Sequence, residues 1–178
     1  MTPGHNYLIV SALGTHRAGI VSELSRTYAQ YGCQILSAKI NLLGQELAAF
    51  FLLAGNWGAI ARLEAALPAL EQKLSIALHS RRTQEVSSES ALMSYTAHII
   101  AVDRPGILNE LMDLFQKETV LVEEVCTNTY INHSHTTMLN LQLKIHIPTS
   151  THLANLRDTF MNYCDQHNFE GFLEPVRN

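Results

Sequence analysis

The chain has 178 residues, 47% of them hydrophobic, and a formal net charge of −4. That length accommodates one medium domain or two small ones of about 80–90 residues, and the negative balance argues against a basic nucleic-acid-binding surface. No stretch approaches the roughly 18 uncharged apolar residues of a membrane span, and no basic region followed by an apolar run opens the chain, so a cytoplasmic location is expected.

Tyr7–Leu13 is a nearly continuous apolar run, as expected of a strand inside a sheet. Ile20, Leu24, Tyr28 and Tyr31 then fall on one helical face, and Gly32 suits the position just past a helix end. Leu36, Ala38, Ile40 and Leu42 alternate with Ser37, Lys39 and Asn41, which predicts a strand with one wet face. A tight connection at Leu43-Gly44-Gln45-Glu46 leads into a second apolar strand over Leu47–Leu53. Ile60, Leu63, Leu67, Leu70 and Leu74 rise at helical steps through a helix that Pro68 is expected to kink, and Ser75–Ser80 closes the set as a strand. The order is βαββαβ.

The second half repeats it: a strand over Tyr95–Val102, then a helical face of Ile107, Leu108, Leu111 and Phe115. A hairpin of Val120–Tyr130 and Thr136–Ile147 follows, then a helix with Leu153, Leu156, Phe160 and Tyr163, and a strand over Phe169–Val176. An offset of 87 places Arg17 on Arg104, Gly19 on Gly106, Ile20 on Ile107, Glu23 on Glu110, Leu24 on Leu111, Tyr28 on Phe115 and Asn41 on Asn128. By the last helix the offset is 93, and the extra residues are assigned to the hairpin around Asn132–His135, where insertion is cheap. The polar, Ser-rich stretch Arg82–Ser90 reads as a linker. Domains are therefore expected at 5–81 and 93–177, with 82–92 between them. Residues 1–82 carry seven Lys/Arg against four Asp/Glu, and residues 83–178 five against twelve.

One turn recurs: Thr15-His16-Arg17-Ala18-Gly19-Ile20 and Val102-Asp103-Arg104-Pro105-Gly106-Ile107. A strand running into Arg-x-Gly at a helix start makes a corner that favours anions, because the first helical N–H groups lack internal partners and the helix dipole is positive there. Glycine permits close approach of a ligand, and Pro105 suits a first helical turn. An amino-acid carboxylate would fit, with a nearby Asp or Asn accepting from its ammonium; Asn41 and Asn128 are the repeated asparagines. A tight strand-to-helix turn with no ligand explains the same residues, and the sequence does not decide which of the two turns would bind.

Other constellations are weaker. Cys33, Cys126 and Cys164 are odd in number and widely spaced, so neither a disulfide framework nor a zinc ribbon is indicated, and each is expected to be a small buried hydrophobe. His133 and His135, two apart, could share a strand face with His146 on the paired strand, but no carboxylate or cysteine completes a convincing set and no metal is expected. RNA-recognition domains share the βαββαβ order, yet Ala48–Leu53 and Met138–Lys144 lack the aromatics interleaved with Lys/Arg that stack bases. No nucleophile elbow, phosphate-binding loop or His-Glu-x-x-His points to catalysis, and Glu123 and Glu124, adjacent in a strand, are expected on opposite faces.

Asp103-Arg104-Pro105-Gly106-Ile107-Leu108 followed by Leu111 resembles the Asp-x-Pro-Gly-x-Leu motif opening the first helix of ACT domains. The tandem arrangement is similar to the glycine cleavage system transcriptional repressor family. That likeness is carried by Tyr7-Leu8-Ile9-Val10, Leu13-Gly14-Thr15-His16-Arg17-Ala18-Gly19-Ile20-Val21, Tyr31–Ile35, Leu43-Gly44, Gly55-Asn56-Trp57 and Leu63–Pro68. The first turn departs from the motif, with His16 and Ala18 where Asp and Pro would stand. The resemblance implies two ferredoxin-like α+β domains, each a four-stranded antiparallel sheet with helices on one face, with the option of joining into one eight-stranded sheet. It implies a non-enzymatic regulator that senses an amino acid, glycine by analogy, and represses through a DNA-binding partner protein without touching DNA. No cofactor is implied, and a homodimer is compatible. The competing expectation is a stand-alone sensing module that regulates a metabolic enzyme.

Overall fold

A computed structural model describes residues 6–84 and 92–176. The chain forms two compact units, one in each described stretch, and residues 85–91 of the expected linker lie outside the described residues. The first unit is β1 (Asn6–Thr15), α1 (Ile20–Gln30), β2 (Gln34–Leu43), β3 (Glu46–Gly55), α2 (Trp57–Leu74) and β4 (Ala77–Thr83). The second is β5 (Leu92–Val102), α3 (Ile107–Lys117), β6 (Leu121–Ile131), β7 (Thr137–Pro148), α4 (Leu153–His167) and β8 (Glu170–Pro175). Each holds an antiparallel sheet, ordered β2-β3-β1-β4 and β6-β7-β5-β8. No described helix is long and apolar enough to cross a membrane.

Both units bury one sheet face under their two helices. Leu8, Val10, Phe51 and Leu53 meet Ile20, Leu24, Tyr28, Ile60 and Leu63 in the first core; Ala97, Ile99, Leu141 and Leu143 meet Ile107, Leu111, Phe115, Leu156 and Phe160 in the second. These are the period-two and period-3.6 apolar positions that such a layered packing requires. The helix ends follow local chemistry. Asn56 caps α2 by accepting from the Ala59 amide at 2.8 Å. Gly32, at φ 76°, turns the chain out of α1. Pro68 sits inside α2, which runs on through it.

Several expectations change. Tyr31 lies past the end of α1 and only packs beside the core, and Leu108 is 39% exposed, so each helical face is narrower than its spacing suggested. β4 starts at Ala77, because Ser75 adopts a left-handed helix cap, and its last residues, Arg82 and Thr83, pair with Leu8 and Tyr7. Leu36, Ile40 and Leu42 are exposed rather than core: β2 is an edge strand, and a register shift between Ile35 and Ser37 makes Leu36 a bulge. The hairpin insertion is visible in the pairing. Leu43 pairs with Glu46 and, in the matching place, Tyr130 with Met138, so the offset steps from 87 to 92 across this connection. Cys33 and Cys164 are buried, and burial raises both thiol pKa values, Cys164 to about 11; Cys126 is exposed.

Candidate functional site

The repeated turn has the same backbone in both units. His16 N–H donates to Gln45 C=O and Asp103 N–H to Thr137 C=O, each at 2.9 Å, which pins the turn to the adjoining hairpin. Gly19 and Gly106 precede α1 and α3 with φ of 91° and 98°, in the left-handed region where a Cβ is strained. Their carbonyls accept from the Glu23 and Glu110 amides at 2.9 Å, closing the first helical turn. Such a start leaves the first amides of a helix without intrahelical partners, and the Ile20 amide reaches back to the Arg17 carbonyl at 3.5 Å.

The side chains then diverge. Arg104 grips Glu110 with two hydrogen bonds of 2.7 Å, and Tyr163 from α4 donates its hydroxyl to the same carboxylate at 2.9 Å. The guanidinium also lies over the Phe169 ring at 5.7 Å. The Arg104 hydrogen bonds, then the Tyr163 hydroxyl, hold the Glu110 carboxyl down at about 2; burial, then Glu110, pushes the Tyr163 phenol up. This is a closed network in which the turn's arginine is already neutralised.

Arg17 takes another route. Its guanidinium donates to the Leu74 carbonyl, the end of α2, where a helix favours a cation. Glu23 is instead bonded by Lys73 and, at 3.1 Å, by Arg26, and Lys73 chiefly lowers its pKa. Among the described residues no carboxylate pairs with Arg17. A shallow recess of about 360 Å³ opens here, lined by Arg17, Ala18, Gly19, Ile20, Glu23 and Lys73. In the second unit the neighbouring cavity, about 380 Å³, lies between α3 and α4 beside Glu110, Lys117, Tyr163 and His167, and no turn residue lines it.

Not every candidate joins these corners. Thr15 donates to Glu46 at 3.2 Å, away from the recess. Asn41 pairs with Ala48 and Asn128 with Asn140, both on the sheet face turned away from the helices. Pro105 and Ile107 are placed as their turn requires, Ile107 being buried as the first residue of α3. Sequence reasoning missed Lys73 and Tyr163, which come from distant helices, and Phe169, which lies between α4 and β8; Glu23 and Glu110 were visible as a repeated acid six residues after each arginine.

Elsewhere, His133 and His135 sit in the 132–136 turn rather than on a strand, while His146 bonds Glu123 at 2.7 Å and Ser94 at 3.1 Å. Glu123 and Glu124 do not point to opposite faces. A register shift between Val122 and Glu124 makes Glu123 a bulge, so Glu123 reaches Lys144 at 2.9 Å while Glu124 pairs opposite that same lysine.

Comparison with known proteins accords with this layout. The ACT-domain family profile matches residues 6–81. The glycine cleavage system transcriptional repressors of Escherichia coli (strain K12) and Shigella flexneri are each 27% identical over 172 residues, 96% of this chain and 90% of theirs. Two solved structures share the fold across 98% of the chain. One, provisionally assigned as a glycine cleavage system transcriptional repressor, has a TM-score of 0.76 at 22% identity, with 99% of its own chain covered. The other, an unknown protein from Galdieria sulphuraria, has a TM-score of 0.78 at 20% identity and is covered in full. The first unit thus matches the ACT-domain profile and the second repeats its βαββαβ fold, in a chain similar to the glycine cleavage system transcriptional repressors over nearly its whole length.

Proposed function

We propose that this protein is a cytoplasmic, non-enzymatic regulator that senses an amino acid, glycine in the first instance, and represses glycine cleavage system expression by contacting a DNA-binding regulator. The observation that carries the reading is that the likeness to the repressors runs through both units, over 172 residues, rather than stopping at one ACT module. The negative net charge supports leaving DNA contact to the partner.

For sensing, the first turn is the better receptor. Arg17 pairs with no carboxylate among the described residues and stands beside the start of α1, so it can add a charge-assisted bond to a ligand carboxylate. Arg104 would first have to give up Glu110. The proposed contacts are therefore Arg17, Ala18, Gly19 and Ile20, with His16 and Thr15 at the margin; Asp103 to Ile107 form the second, more closed copy, and Asn41 and Asn128 are assigned only if a neighbouring molecule completes the site.

Two measurements test the reading. Calorimetry against the common amino acids should give heat for glycine that Gly19→Trp abolishes; no heat from any amino acid removes the sensing claim. Affinity purification of the full chain should recover a DNA-binding regulator, and recovery of a metabolic enzyme in its place would transfer the protein to enzyme control. A shift of operator DNA by the pure protein at physiological salt would overturn partner-mediated action.

A further inference from the structure

The two sheets share a fold yet differ at the centre of the face away from their helices. In the first unit, Phe50 of β3 pairs with Ser11 of β1, Leu52 with Ile9, and Ala48 with Leu13. Phe50 is 57%, Leu13 56% and Ile9 37% exposed, and Leu52 and Ala48 are half-buried. The cations on this face stand at its edges, Lys39 on β2 and Arg81 on β4. At the places of Phe50, Leu52 and Ile9 the second sheet carries Gln142, Lys144 and Thr96, with Glu124 and Glu174 on its edge strands; Ile100, half-buried, stands at the place of Leu13, and Phe172, 51% exposed, pairs with His98. The fold therefore does not require an apolar centre on this face; only the first unit has one.

We propose that this face is a self-association surface, covered in solution by the same face of a second copy of the chain. An apolar centre with charges confined to the rim is the layout of a stable interface, and a monomer seldom leaves such a patch open. Four strands at about 4.8 Å spacing and some seven to eight paired residues at about 3.4 Å each give a footprint on the order of 19 by 25 Å. The accessible area of such a corrugated face approaches the roughly 800 Å² per partner of a standard interface. Two such faces can stack about 10 Å apart as a sandwich. Phe50, Leu52, Ile9 and Leu13 then bury one another while Lys39 and Arg81 stay in water. An acidic partner would find its complementary charges only at the edges, whereas a second copy matches the uncharged centre.

Sedimentation velocity of the full chain between about 1 and 100 μM tests this. Wild type should show a reversible dimer, which Phe50→Glu and, separately, Leu13→Lys weaken at least tenfold with unchanged far-UV circular dichroism. Gln142→Glu, the matching change on the second sheet, should leave the dimer intact. Because the centre is uncharged, raising salt from about 0.05 to 0.5 M should leave the dimer intact; a contact between the basic rim and an acidic surface would loosen instead. A monomer at all concentrations, a dimer indifferent to both first-sheet variants, dissociation by Gln142→Glu, or loosening by salt would each overturn the proposal.

Discussion

In the second turn Arg104 is held by Glu110 through two hydrogen bonds of 2.7 Å, whereas in the first the matching residues, Arg17 and Glu23, have other partners. The backbone of the two turns is nearly the same, down to a left-handed glycine and a carbonyl that accepts from the acid's amide. What differs is supplied from far along the chain. Lys73 draws Glu23 away from Arg17, while the last helix offers Tyr163 to Glu110 and leaves the carboxylate beside Arg104. The copy with the fuller ACT motif is thus electrostatically closed, and the copy that has lost the Asp and Pro keeps an available cation. Motif completeness and readiness to bind an anion are separate properties.

The largest expected effect follows directly. A hydrogen bond to a charged group is worth about 1.5–3 kcal/mol, so Arg17→Ala should weaken amino-acid binding by roughly ten- to a hundredfold in calorimetry. Arg104→Ala should change the affinity by less than about threefold, because Glu110 already occupies that guanidinium. Equal losses in the two variants would break the comparison, and a larger loss from Arg104→Ala would reverse it.

Acid sharpens the same contrast with a smaller effect. The Glu110 carboxyl sits at about 2 in the folded protein, below the ~4.3 of an unfolded glutamate. The folded state thus gains stability from its ionised form above about pH 4.3, and loses it as the pH falls from there towards 2. Urea unfolding at pH 7 and pH 3, followed by circular dichroism, should show a drop in midpoint that is reduced in Glu110→Gln. Trp57, the single tryptophan, lies in the first unit, and its fluorescence should be insensitive to the Glu110 variant. An unchanged acid response in Glu110→Gln would mean that the network around Arg104 contributes nothing to folding.

Why the sequence revealed one part and hid the other is a matter of range. The βαββαβ order is written in local periodicities, two for strands and 3.6 for helices, and the doubled turn is written in glycine and arginine at fixed spacing. Both survive without knowledge of contacts. Edge effects do not: Ile40 and Leu42 alternate like core residues, and only their place on an outer strand leaves them exposed. The bulge at Glu123 likewise defeats the alternation that would separate it from Glu124, since one extra residue reverses every direction beyond it. The state of each arginine depends on residues about sixty positions away, Leu74 and Tyr163, which no local pattern couples to the turn.

The smallest predicted effect lies in the cores, and it again compares matched positions. Tyr28 and Phe115 are equivalent and both fully buried. Phe115 stacks on Phe160 with ring centroids 6.1 Å apart; Tyr28 meets Phe51 edge to face at 5.3 Å. Its hydroxyl has no hydrogen-bond partner among the described residues, and burial raises its pKa. A buried hydroxyl without a partner costs about 1–3 kcal/mol, partly offset by the packing its oxygen provides. Tyr28→Phe keeps the ring contact and removes that cost, so the first unit should gain roughly 0.5–1 kcal/mol, read as a higher urea midpoint of Trp57 fluorescence at unchanged slope. A loss of comparable size would place a bound water against the Tyr28 hydroxyl, and the first core would then be a hydrated version of the second rather than a strained one.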